Sequence, residues 1–296
     1  SNETLFINPR EGKYISCSYD REGLPPFSAM TVTRDNNIYI LETKESEDEN
    51  QFFLSKYNHT KNVWEYEVVS SVSKGPDYEK CYEEHLCEVD GILYYIAVDA
   101  EKDRPLLQVR KYNRLTNQWQ ECSQLQLDSP ICHSSTLSCG SHLYLLTDTG
   151  IKLRMHRYDP RDDCWCKRTP PMIIPSVCTA VAMGTEIFCT DFYFTQTMVY
   201  DTDSDSWQKL QGWPDPRNFI IAEGPRLFLL ENQLHILLKG YDKVKRGPST
   251  DYLVYVYNRS ADAWRDLKAT LPFENYIAYG SQCPVARIYL KYLKGA

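Results

Sequence analysis

Apolar and polar positions along this chain fall into short blocks, not into a helical stripe. "AMTVTRDNNIYIL", "LCEVDGILYYIAV", "TLSCGSHLYLL", "AVAMGTEIFCT" and "LFLLENQLHILL" each show an apolar strand, a short polar turn and a second apolar strand. A further pair of strands follows each block. Its first members include "VRKY" and "YLVYVY", and its second members "WEYEVV" and "WQECSQL". The pattern predicts hairpins in pairs, four antiparallel strands per period, with no long helical period.

The turn of the second hairpin has a recurring outline. It reads "YNHTKNVW", "YNRLTNQW", "YDPRDDCW", "YDTDSDSW" and "YNRSADAW", bounded by Tyr57 and Trp64, Tyr112 and Trp119, Tyr158 and Trp165, Tyr200 and Trp207, and Tyr257 and Trp264. Each copy has Tyr, then Asn or Asp, three free positions, Asn or Asp again, one free position, and Trp. The Trp-to-Trp spacings are 55, 46, 42 and 57 residues. Constant local geometry at variable spacing means a small rigid unit with loops of changing length between copies. Asn and Asp at both ends of the turn can bond nearby backbone N–H groups, and the aromatic pair can pack between neighbouring sheets.

Repeated four-stranded units predict an all-β fold, a β-propeller. Five units occupy about 27–70, 83–122, 133–169, 176–212 and 218–268. The C-terminal "YIAYGSQCPVARIYLKYL" looks like a first hairpin without a second. The N-terminal "FINPREGKYISCSY" looks like a second hairpin without a first. The expectation is therefore six blades in one domain spanning 1–296, the sixth assembled from 1–20 with 273–296, which would pair otherwise exposed strand edges.

Composition narrows the function. The 296 residues are 42% hydrophobic and 25% charged, with a net charge of -7 and 22 tyrosines, which suits a strand-rich globular domain. No basic block dominates, so no nucleic-acid partner is expected. No apolar run of about 18 residues occurs, so no membrane span is expected. The eleven cysteines are irregularly spaced, and the N-terminus lacks the basic and apolar regions of a signal peptide. These features predict a cytoplasmic protein, with a nuclear location as the variant, and give no weight to the sequons at Asn2, Asn58 and Asn258.

The Tyr, Asn or Asp turn and Trp at this spacing resemble the Kelch repeat over essentially the whole chain. Kelch blades usually carry Gly-Gly after the second strand. Those places here read Leu41-Glu42, Ala97-Val98, Thr147-Asp148, Asp191-Phe192 and Leu238-Lys239. The arrangement is similar to the Kelch-repeat and BTB-domain proteins, substrate adaptors of cullin-RING ubiquitin ligases. What the resemblance implies is a non-catalytic receptor whose propeller captures a protein substrate, with the cullin scaffold bound through a BTB domain that this sequence does not include. The alternatives are a Kelch-propeller enzyme with a metal or hydrolytic site in the channel, and an actin-binding Kelch scaffold.

Catalytic signatures are scarce. His59, His85, His133, His142, His156 and His235 form no zinc-type cluster, and no phosphate loop or G-x-S-x-G occurs. "DTDSDSW" lacks the Gly and distal Glu of a calcium loop and occupies the repeat turn. No cofactor or metal is expected. Binding residues are expected where loops vary, on the rim that carries the connections between strands two and three and between blades. Candidates there are Phe192 and Tyr193 in "DFYFTQ", and Tyr241, Lys243, Lys245 and Arg246 in the basic loop Lys239 to Asp251. The acidic "TKESEDENQ" lies on the same rim, and Trp213 and Arg217 lie between blades. The starts of the first strands add Tyr82, Glu84, His133, Ser134, Ser176 and Tyr279 near the channel mouth.

Overall fold

The computed structural model describes residues 3–8, 13–18, 27–44, 51–61, 63–68, 82–99, 103–172, 176–211, 218–244 and 251–267. Every element among them is a strand. β1 (Glu3–Asn8) and β2 (Lys13–Ser18) form a two-stranded antiparallel sheet. The rest of the described chain falls into two compact units, one within Glu22–Arg168 and the other within Thr169–Val285, the second also holding the β1–β2 hairpin.

The first unit contains three blades. Blade I is β3 (Phe27–Val32), β4 (Ile38–Lys44), β5 (Gln51–Asn58) and β6 (Val63–Val68). Blade II is β7 (Tyr82–Val89), β8 (Ile92–Asp99), β9 (Leu106–Asn113) and β10 (Gln118–Glu121), with the short β11 (Leu125–Gln126) also on β9. Blade III is β12 (His133–Cys139), β13 (His142–Asp148), β14 (Leu153–Asp159) and β15 (Cys164–Arg168). The second unit contains two. Blade IV is β16 (Thr179–Met183), β17 (Glu186–Thr190), β18 (Thr197–Asp201) and β19 (Ser206–Lys209). Blade V is β20 (Phe219–Leu230), β21 (Gln233–Asp242), β22 (Asp251–Asn258) and β23 (Ala263–Asp266). In every blade each strand pairs antiparallel with the next.

The fold is an all-β propeller, but its described blades number five, not the six expected. The N-terminal hairpin exists, with Ile7 opposite Tyr14. Among the described residues it pairs with no further strand, and 273–296 lie outside them. A lone hairpin buries too little apolar surface to count as a blade.

Second strands explain why the blades are apolar on both faces. Alternate side chains of β8 point opposite ways. Leu93, Tyr95 and Ala97 join Tyr39, Leu41 and Leu54 of blade I in one core. Tyr94, Ile96 and Val98 join Leu143, Leu145 and Tyr158 of blade III in another. In the second unit Phe188 and Val199 of blade IV pack with Leu227, Leu234, Ile236 and Leu238 of blade V. Such strands read as unbroken apolar runs.

The repeat motif is a clasp. Its Tyr and Trp stand directly opposite each other on strands three and four, with ring centroids 4.9–5.3 Å apart. The first Asn or Asp closes the turn. Asn58, Asn113, Asp159, Asp201 and Asn258 each accept a backbone N–H two or three residues on. The second, where described, has a left-handed backbone, with φ of 55° at Asn117, 48° at Asp163, 53° at Asp205 and 44° at Asp262. Asn and Asp tolerate that region better than other side chains. It accepts the tyrosine O–H at 2.6–2.9 Å in all four copies. In three of them it also accepts a backbone N–H from far upstream, from Ser123 to Asp163, Thr169 to Asp205 and Gln211 to Asp262. The Trp165 and Trp207 indoles donate to the carbonyls of the same Ser123 and Thr169. Ser123 follows the last long strand of blade II and Gln211 that of blade IV. The motif thus ties a blade to the end of the one before it.

The clasp predicts a graded loss of stability. Replacing Asp163 with Ala strands the Tyr158 hydroxyl and the Ser123 N–H and puts a poor residue at positive φ, a loss of roughly 1–3 kcal/mol. Asp163→Asn keeps an acceptor oxygen and should lose less. Urea midpoints of the three proteins test this, and a wild-type midpoint for Asp163→Ala would remove the clasp as a stabilising element.

Candidate functional site

Two places gather side chains that the core does not require. The first lies between blades II and III, whose first strands run side by side with β3 on the far side of β7. His85 Nε2 lies 2.8 Å from Ser134 Oγ, and the Ser134 hydroxyl donates to a Glu83 carboxylate oxygen. His133 Nδ1 stands 3.7 Å from the other Glu83 oxygen. A serine has one proton, and here Glu83 receives it, so His85 carries its proton on Nε2 and donates to Ser134.

The first-strand candidates divide accordingly. His133 and Ser134 are brought together as expected. Glu84 is not with them, because it points to the opposite face of β7 and accepts the Tyr95 hydroxyl. Glu83 and His85 occupy the expected place instead, a one-residue parity difference on a strand that is polar on both faces at its start. The signal was present downstream. Cys87 and Val89 share the parity of Glu83 and His85 and pack toward blade III. Tyr82 begins β7, Ser176 lies half-buried in the coil before β16 in the other unit, and Tyr279 is outside the described residues.

The electrostatics follow from burial. Burial, only partly opposed by the Glu83 charge, pushes the His85 imidazole down to about 4. Burial raises Glu83, but the nearby His133 imidazole and the hydrogen bond from Ser134 outweigh it, so its net shift is downward. Farther out on the same side of blade III, burial first and then Lys167 and Arg154 push His156 down to about 4, against Asp128. This differs from a hydrolase relay, in which the serine gives its proton to a histidine that an acid orients. Here the serine gives its proton to the acid, is 1% exposed, and links two blades.

The second place is the end of the second unit where strand two leads to strand three. Asp191 is buried, and its carboxylate accepts the Thr195 N–H at 2.7 Å and the Thr195 hydroxyl at 2.6 Å. That network holds Phe194 in a left-handed conformation, φ 54°, with its ring buried. A bulky residue there is strained. The consequence is that Phe192 and Tyr193 are turned outward, Tyr193 to 78% exposure. Beside them, Gly224 of β20 permits close approach, since a Cβ there would collide with Cys178 Sγ and stand 3.2 Å from the Phe192 ring.

The basic segment differs from expectation. Lys239 to Asp242 is strand, not loop, because β20 and β21 extend as a paired ribbon with Phe219 opposite Asp242 and Ile220 opposite Tyr241. Tyr241 is nonetheless exposed, as are Ile220 and Lys243. Lys239 is paired with Glu223. Lys245, Arg246, Trp213, Arg217 and the centre of the acidic segment, 45–50, lie outside the described residues. Among the described residues no group of three or more His, Cys, Asp or Glu is placed to hold a metal ion.

The constant turns are occupied by structural bonds. His59 Nε2 bonds the Asn36 carbonyl at 2.7 Å, Arg114 donates to the Tyr39 hydroxyl at 3.0 Å, and Arg259 pairs with Glu186 at 2.8 Å. Arg114 and Arg259 reach the preceding blade.

No family model matches the chain. A segment is 22% identical over 138 residues to Kelch-like protein 35 of Mus musculus, covering 45% of this chain and 23% of that protein. The match therefore spans under a quarter of the relative's length. Among solved structures the chain is similar to a protein from Lactobacillus plantarum, with TM-score 0.52 and 12% identity over 86% of this chain and 74% of the other. It is also similar to a structure from work on two prolyl endopeptidases, with TM-score 0.51 and 12% identity over 80% of this chain and 34% of the other. Likeness at such identity shows fold alone. Strand pairing and these likenesses together show a β-propeller.

Acid should loosen the joint between blades II and III. A histidine whose folded pKa is lowered contributes its full share of stability above its ordinary value of 6.5 and loses it as pH falls toward 4. His85 faces Glu83, His133 and Ser134, and His156 faces Lys167, Arg154 and Asp128. Glu83, lowered from 4.5, acts in the same direction at lower pH. Each histidine should account for about 1–2 kcal/mol lost between about pH 7 and pH 5. Urea titrations at the two pH values should show the loss, and the His85→Gln, His156→Gln pair should show a smaller one. An equal loss in the double variant would place the acid sensitivity elsewhere.

Proposed function

We propose that the chain is the substrate-recognition domain of a cullin-RING ubiquitin ligase adaptor. It captures a protein through the loops between strands two and three and the connections between blades. The cullin scaffold would be reached through a BTB domain elsewhere in the full protein, and the ligase chemistry would belong to that complex, so the propeller itself is read as non-catalytic. The observation that carries this reading is where the second unit exposes its large apolar side chains. Met172, Phe192, Tyr193, Ile220, Tyr241 and Val244 all lie in segments that leave a second strand or enter a first one. Among the described residues of that unit, none lies in a Tyr–Trp turn. Large apolar side chains exposed at the ends of the blades away from the constant turns suit a surface made to be covered by a partner. The limited identity with Kelch-like protein 35 supports the adaptor role over other uses of the fold.

The test uses the full-length protein in cells. The double variant Tyr193→Ala, Tyr241→Ala should keep its fold and its cullin, and lose proteins that accumulate on the wild type when cullin activity is blocked. Leu115→Ala, at a 98% exposed turn position of the first unit, should retain them. Failure of the wild-type full chain to engage a cullin would sink the adaptor role. Loss of targets with Leu115→Ala but not with the double variant would move the binding surface to the turns.

A further inference from the structure

The joint between blades II and III gathers positive charge at its outer side. Arg154 and His156 are two residues apart on β14 and share a face. Thr147 stands opposite Arg154 on β13, and Lys167 opposite His156 on β15. Tyr158, of the same parity, packs into the core shared with blade II, so these four side chains point toward that blade. The connection after β11 lies over them. Leu127 and Ile131 are sunk in the same core and hold Asp128 and Ser129 in place between them.

One carboxylate serves two cations. Asp128 Oδ2 is 3.9 Å from Arg154 Nη1 and 3.8 Å from Lys167 Nζ. Both separations exceed hydrogen-bond length, and among the described residues neither cationic side chain has another partner. Two positive charges thus face one negative, and the Arg154 side chain is only 18% exposed. Polar atoms of the same residues are shielded from water. His156 Nδ1, Ser129 Oγ and Thr147 Oγ1 have no hydrogen-bond partner among the described residues. His156 is 4% exposed and Thr147 is 0%, and the His156 ring is within electrostatic reach of Lys167, Arg154 and Asp128. Buried polar atoms of this kind are normally paired. The nearby Glu83, Ser134 and His85, by contrast, bond one another. The crevice is open at its rim, where the side chains of Lys167 and Asp128 are 80% and 62% exposed.

What this set lacks is a compact group with several acceptor oxygens and more than one negative charge. A phosphoryl group has three such oxygens and a charge of about −1.5 to −2 at pH 7. A carboxylate would bring no more charge than Asp128 already does, and the two cations repel a metal ion. We propose that the crevice is a phosphate site. Arg154 and Lys167 grip the oxygens by charge-assisted bonds, His156 Nδ1–H and the Ser129 and Thr147 hydroxyls donate to them, and Asp128 gives way as a weaker internal competitor.

The test is a titration of the full chain with inorganic phosphate, followed by calorimetry and by the His156 ring protons, with chloride holding ionic strength constant. Saturable binding with a shift at His156 is expected. Lys167→Gln, at an exposed position, should keep the melting temperature and bind about tenfold more weakly, whereas Asp128→Asn removes the competitor and should bind about threefold tighter. Arg161→Gln takes the same charge from an exposed turn of the same blade and should bind like the wild type. A short glycine-rich peptide with one phosphoserine identifies the source of the group. Binding at least about tenfold tighter than inorganic phosphate puts the group on a modified partner protein, and anything less puts it on a small molecule. No saturation up to about 10 mM phosphate, no gain in Asp128→Asn, or equal losses in Lys167→Gln and Arg161→Gln overturns the site. The adaptor role is independent of all these outcomes.

Discussion

One hydrogen-bonded arrangement underlies the architecture: a buried tyrosine hydroxyl and an upstream backbone N–H converge on a single Asn or Asp side chain, with a tryptophan indole closing on the neighbouring carbonyl. Each participant needs the others. The carboxylate can sit where it does because its residue tolerates a left-handed backbone. The tyrosine can be buried because its hydroxyl has an acceptor. The end of a strand that would otherwise leave polar groups unpaired has both a donor and an acceptor waiting for it. In blade III, burial raises the Tyr158 pKa, as does the bond to Asp163, while for the exposed Asp163 slight desolvation is outweighed by the hydrogen bonds from Tyr158 and Ser123, which lower it. The two shifts are complementary, which keeps the pair as phenol and carboxylate over the ordinary pH range.

This arrangement accounts for what could be read from the sequence. The clasp requires particular residue types at fixed spacing, so its five copies, the hairpin pairs and the propeller class were all legible. Six blades were not borne out among the described residues, because a fragment such as "FINPREGKYISCSY" shows that a hairpin forms but not what covers it. The parity of β7 was not legible at the start of the strand. At "YEEH" both faces are polar, and only packing downstream decides which pair of side chains meets Ser134. "KGYD" reads as a loop because of its Gly and charges, yet Gly240 is in strand. A side chain there would strike the Ile220 carbonyl and the Phe219 ring, so the glycine serves close packing and not a turn.

The division of labour between the ends of the blades follows from the same constraint. At the turns, polar side chains are spent on Asx bonds, tyrosine hydroxyls and arginine contacts to the preceding blade, and little variation is tolerated. At the opposite ends no such bond pattern is imposed, and the connections differ in length and chemistry from blade to blade. The Asp191 loop shows what that freedom permits. A buried carboxylate rigidifies six residues, one aromatic ring is drawn inward, and two others are left facing water on a fixed platform.

The clasp also has a direction. In the joints from blade II to blade III and from blade IV to blade V, the residue that is held comes earlier in the chain than the residues that hold it, by 40 residues for Ser123 and by 51 for Gln211. During synthesis the last backbone groups of blade II or IV therefore wait, bonded only to water, until the following blade has emerged and folded. At these joints a growing chain carries one unfinished blade at its trailing end. That transient end, not the finished joint, is where strand-terminal polar groups lack their partners within the protein.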